Sequence, residues 1–170
     1  MAVLRALALT MTVTLAVVLQ VAAFGHFSYD GVVPNLALLV VVAAALVRGP
    51  EFAAVLGFAA GLAIDLAPPA DHVAGRWALA LVIVGYVAGR VARDTKPTAI
   101  AVVATVASSS FLGTSVFAIS GLLLRDPPMV IPDLLQVIAV GVGWDVLLTP
   151  FVLPVLIGMF RRLEPERATA

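Results

Sequence analysis

Charge is missing from most of this chain, and those uncharged stretches read as membrane helices. No Asp, Glu, Lys or Arg occurs between Arg5 and Asp30, between Asp30 and Arg48, or between Lys96 and Arg125. A helix of about 20 apolar residues is what crosses a hydrocarbon layer ~30 Å thick. Of the 170 residues 62% are hydrophobic and 12% charged, against roughly a quarter charged in an ordinary soluble domain. That excludes soluble folds such as a Rossmann or TIM architecture and leaves no length for a catalytic domain outside the bilayer.

Charged and proline-rich breaks divide the chain into six apolar segments: residues 6–24, 34–47, 52–66, 77–91, 98–124 and 131–160. The first also has features of a signal peptide, with Arg5 ahead of the apolar run and Ala22 and Ala23 at a cleavage position. The run is longer than a signal core, so it is read as a retained helix. The second opens at Pro34, a residue suited to the first turn of a helix. Segments two and three are short, at about 21 to 23 Å for 14 or 15 residues. They either borrow flanking residues to cross or form a re-entrant hairpin. The expected fold class is an all-α integral membrane protein of six transmembrane helices in one domain, residues 1–170.

Six crossings put both termini on one side, and the Lys and Arg positions say which. Arg5, Arg48, Arg90, Arg93, Lys96, Arg161, Arg162 and Arg167 fall on that side; Arg76 and Arg125 fall on the other. The positive-inside rule therefore puts the N- and C-termini in the cytoplasm.

The remaining polar residues exclude several chemistries. The formal charge is zero and the longest basic tract is Arg161 with Arg162, which gives nucleic acid nothing to bind. With no cysteine, thiolate chemistry and Cys-ligated metals are ruled out. His26 and His72 belong to no metal-binding motif and read as loop histidines. No Ser/His/Asp grouping, carboxylate pair or P-loop appears, so no catalytic, cofactor or metal site is expected.

Two carboxylates and a row of glycines stand out. Ala53, Gly57, Gly61 and Asp65 follow one another at intervals of four, on one helix face, and Gly85 and Gly89 repeat the device in the next segment. Small residues at this spacing let membrane helices approach closely, either within the chain or against a partner. Asp65 is either a helix-end carboxylate reaching interfacial water and pairing with Arg76, or a buried hub that orders the following loop. Asp145 lies near the middle of the sixth segment, where a carboxylate costs about 2.5 to 3.5 kcal/mol on insertion scales. It must face protein or water. Ser108, Ser109, Ser110 and Thr114 of the fifth segment are its candidate hydroxyl donors, and a ligand, proton or partner site is the alternative. Pro150 and Pro154 follow it and are expected to kink or break the helix.

The stretch 57–89 resembles the rod-shape-determining MreD family. The family pattern GFxxGxxxDL, a short loop, a Gly, an Ala-Leu pair and a Tyr-containing helix fall on Gly57, Phe58, Gly61, Asp65, Leu66, Gly75, Ala78, Leu79 and Tyr86. The Pro34-Asn35 pair and a proline-containing last helix are similar too. The loop 67–74 is longer and richer in proline than the family's. The resemblance implies a non-enzymatic scaffold of the bacterial cell-elongation complex in the cytoplasmic membrane, without a cofactor. Its implied partners are MreC and, directly or indirectly, RodA, a class B penicillin-binding protein and MreB. The helical arrangement it implies is similar to the substrate-binding subunits of energy-coupling-factor transporters, so a vitamin- or solute-binding transporter subunit is the rival function. An intramembrane enzyme is a third reading, disfavoured because no nucleophile and base pair is present.

Overall fold

A computed structural model describes residues 2–23, 32–68, 72–95, 98–124 and 131–163. Those residues form six helices: α1 (Ala2–Ala22), α2 (Leu36–Arg48), α3 (Pro50–Asp65), α4 (Arg76–Asp94), α5 (Ala99–Leu124) and α6 (Ile131–Arg162). His26, Asp30, Lys96, Arg125 and Arg167, all used in the loop and charge assignments, lie outside the described residues. By length and composition α1, α5 and α6 can cross a membrane.

The centre of the molecule is α2. Its sequence LALLVVVAAALV is apolar on every side, and such a helix has to be buried all round. Residues 36–45 are indeed all buried, seven of them at 1% exposure or less. α1, α3, α4, α5 and α6 surround it.

α2 is short because it starts inside the bundle. Leu38 lies level with Gly113 and Val84, near the middles of α5 and α4. Residues 33–35 leading into it are non-helical, and Pro34 and Asn35 are buried. Non-helical backbone is tolerated at membrane depth where protein covers it, and Val32 packs beside Gly141 of α6.

The turn between α2 and α3 is the single residue Gly49, with φ +86°. An L side chain is strained at that φ, and a Cβ there would come within 3.2 Å of the Arg93 guanidinium, which would have to shift slightly. Pro50 then starts α3 at N1, where its missing N–H is harmless. α3 returns antiparallel to α2 and lies along α4, the most extensive helix pairing in the molecule.

The two ends differ in charge. Arg48, Arg93 and Arg161 gather at one end, with Arg93 bonded to Glu51 (2.7 Å) and Arg48 lying 4.2 Å over the Phe52 ring. α1 runs from this end toward the start of α2, since Thr12 donates to the Met159 sulfur at 3.2 Å and Gln20 lies by the Ala37 N–H. Asp65, His72 and Arg76 lie at the opposite end of the α3–α4 pair. α6 continues as helix through Pro150 and Pro154. The expected break is not there. Each proline still frees the carbonyl four residues earlier.

Candidate functional site: a glycine seam and two buried carboxylates

The small residues of α3 meet those of α4 in antiparallel register. A Cβ added to Gly57 would fall on the Leu81 carbonyl, and one on Gly61 would fall on Ala78 and the Trp77 carbonyl. From the other side, a Cβ on Gly85 would meet Ala53 and one on Gly89 would meet Pro50. Backbone touches backbone along the whole seam. This is the close approach that drives association where lipid removes the hydrophobic force.

Asp65 closes the end of this seam away from the arginine cluster and is 2% exposed. Gly75, in the left-handed region at φ +99°, turns the chain so that the first N–H groups of α4 converge on it. Oδ2 accepts from the N–H groups of Gly75 (2.9 Å) and Ala78 (3.1 Å), while Oδ1 accepts from the Trp77 N–H (3.1 Å) and lies 3.0 Å from His72 Nε2. Asp65 therefore caps α4 from the end of α3. A carboxylate is stabilised there by the unsatisfied N–H groups and by the helix dipole.

Arg76 turns away from Asp65 to α5. It donates to the Phe117 carbonyl (2.7 Å) and the Ser120 hydroxyl (3.4 Å), and its guanidinium lies 3.9 Å over the Phe117 ring. Gly121 leaves the space it occupies. Trp77 stacks on the same ring at 4.5 Å, and His72 meets it edge-on at 5.2 Å. Phe117 thus pins the start of α4 and the residues before it to α5. Nothing in the sequence singled it out, as one phenylalanine in a long apolar run has no distinguishing spacing.

Asp145, 1% exposed, lies in the middle of the bundle at the start of α2. Its Oδ2 accepts from the Ser110 hydroxyl at 2.6 Å, and Oδ1 accepts from the Asn35 N–H at 2.7 Å. Ser110 is the one predicted donor that reaches it. Ser108 and Ser109 face the α4 side of α5, and Thr114 sits one turn away beside Gly141. The backbone donor was missed. The Asn35 side chain meanwhile accepts from the Leu38 N–H (2.9 Å) and Gln20 from the Ala37 N–H (3.4 Å), so the first turn of α2 is satisfied inside the protein. A Pro-Asn pair before an apolar run is a helix-start signal, but only the fold shows that this start is buried against α6.

The Asp145 bonds predict a graded response. Asn at 145 keeps an oxygen for the Asn35 N–H, and its amide can donate to Ser110, whose hydroxyl then accepts. Asp145→Asn should leave cellular protein level and thermal stability in detergent close to the original. Asp145→Leu leaves two buried donors unpaired at about 1–3 kcal/mol each, and should lower both.

Among the described residues no group of three or more His, Asp or Glu side chains could hold a metal. The fold and its sites define a membrane-type helical protein whose two buried carboxylates, Asp65 and Asp145, tie helix starts to neighbouring helices. More particularly, the chain belongs to the rod shape-determining protein MreD family, whose model matches residues 1–156. The family acts in cell shape determination as a structural membrane protein. No curated protein and no solved structure matches the chain.

Proposed function

We propose that this chain is a non-enzymatic scaffold of the bacterial cell-elongation complex. It sits in the cytoplasmic membrane and holds MreC and, through MreC or directly, RodA, a class B penicillin-binding protein and MreB in one assembly for lateral peptidoglycan synthesis. Family membership carries this reading. The geometry supports it: Asp65, Asp145, Asn35 and Ser110 all direct polar atoms to other helices. In a strain depleted of its own MreD protein, expression of the chain should restore rods; cells that stay round despite normal membrane levels would count against the proposal.

The proposed topology is six crossings with both termini in the cytoplasm. The charge asymmetry supports it, as does the gathering of Arg48, Arg93 and Arg161 at one end of the bundle. Because the chain has no cysteine, single cysteines report cleanly. Val73→Cys should react with an impermeant maleimide in intact cells and Thr95→Cys only after lysis. Labelling of Thr95→Cys in intact cells would reverse the orientation.

One observation favours the solute-binding alternative. The buried Asn35 amide nitrogen, beside Asp145, has no hydrogen-bond partner among the described residues. A transporter subunit would use such a donor, together with the Asp145 charge, on a ligand. Asp145→Asn would then abolish function while protein level and partner recovery stay normal.

A further inference from the structure

In the half of α5 nearer the arginine-rich end, the helix stands away from α4 and leaves a groove of about 270 Å³. The α5 wall consists of small residues, Ala101, Ala104, Thr105, Ser108 and Ser109, up to Leu112. Eleven residues of rise make the groove about 16 Å long, or three helical turns. Past Thr95 and Ala101 it continues into a crevice of about 160 Å³ that reaches Arg161.

The hydroxyls sort into two groups. Thr95 and Thr105 donate to the carbonyls four residues earlier, at 2.7 and 2.8 Å, and Ser110 donates to Asp145. Ser109 is 5% exposed, lines the groove, and has no hydrogen-bond partner among the described residues; neither has Ser108 beside it. Ser109 is the eleventh residue of the 26 in α5, deep in the helix, where water is scarce. The Ser109 oxygen is not sealed in the core, and a hydroxyl left without a partner on a hydrocarbon-filled groove is costly. An acyl chain in the groove would leave it unpaired. A second helix would not, because a backbone carbonyl bared by a Gly, Ala or Ser on its face can accept from it, and small residues on both sides permit that approach.

We propose that the α4–α5 groove receives a transmembrane helix of a partner protein, one that presents a hydrogen-bond acceptor among small residues at the depth of Ser109. This rests on the scaffold reading and adds the place where the partner helix docks.

The test uses the full tagged chain in bacterial membranes with MreC co-expressed, and recovery of MreC in mild detergent as the readout. Ala104→Phe fills the groove from an exposed position and should lower recovery at least tenfold. Val155→Phe, which places the same residue on the exposed face of α6, should leave it unchanged. Ser109→Ala removes one interhelical hydrogen bond and should weaken recovery about threefold to tenfold. If Ala104→Phe does not accumulate, the smaller Ala104→Cys serves instead, and should cross-link to a cysteine scanned along the MreC helix. Full recovery with Ala104→Phe, or cross-links of Ala104→Cys only to a second copy of this chain, would overturn the proposal alone. So would displacement of a co-purifying phospholipid, rather than MreC, by Ala104→Phe. No recovery by the unaltered chain would sink the scaffold reading and this proposal with it.

Discussion

Gly61→Leu should prevent the protein from accumulating in the membrane, whereas Ala59→Leu, two residues away on the exposed face of α3, should be close to neutral. The first Cβ has no room, since Gly61 stands directly against the Ala78 backbone and the Trp77 carbonyl. Backbone cannot rotate aside as a flexible side chain can. Relief requires α3 and α4 to separate, and their separation also breaks the contacts at Gly57, Gly85 and Gly89 along the same seam. Core overpacking ordinarily costs about 1–3 kcal/mol and occasionally more, and a collision between two backbones belongs at or above the top of that range. Membrane protein level and melting temperature in detergent are the measurements. Equal values for the two variants would show that the seam is not what joins the helices.

Asp65→Asn should be nearly as damaging as Asp65→Ala, the reverse of the tolerance expected at Asp145. The difference lies in what each oxygen faces. At Asp145 one of the two donors is a hydroxyl, which can turn from donor to acceptor. At Asp65 each carboxylate oxygen faces at least one backbone N–H, from Gly75 and Ala78 on one side and Trp77 on the other. A backbone N–H cannot reverse. An asparagine there must set its NH₂ against one of them, leaving donors unpaired and losing the charge that complements the α4 dipole, together about 3 kcal/mol. Glu cannot substitute either, as its extra methylene drives the carboxylate into the N-terminus of α4. Thermal stability of the purified variants tests this. A stable Asp65→Asn alongside an unstable Asp145→Asn would invert the account.

How much of this the sequence revealed depended on whether a feature is local. The six helices were legible because charges, prolines and Gly49 stop them, and their ends differ from the expected ones by a few residues. The seam could be found because Gly57 and Gly61 repeat at a helical interval, though its register against Gly85 and Gly89 could not. The sequence leaves Asp65 open between a helix-end carboxylate pairing with Arg76 and a buried hub for the following loop; the hub is what the fold shows, and its donors are backbone groups of a helix start, which carry no sequence signature of their own. Three consecutive serines and Thr114 were offered to Asp145. Side chains on a helix advance 100° per residue, so 108, 109 and 110 could not all face α6, and only Ser110 does. The short second segment was puzzling as a span. Its shortness is explained once α2 is seen to begin inside the bundle, with its first N–H groups bonded to Asn35, Gln20 and Asp145 rather than to water.

The central claim, that the chain holds other membrane proteins together, is tested most directly by purifying the tagged chain from bacterial membranes in mild detergent and identifying what comes with it. The scaffold account predicts MreC, with RodA and a class B penicillin-binding protein, in amounts that fall with Ala104→Phe and survive Asp145→Asn. Recovery of an ATPase module and a coupling subunit in their place, with a small molecule bound stoichiometrically to the chain, would contradict it.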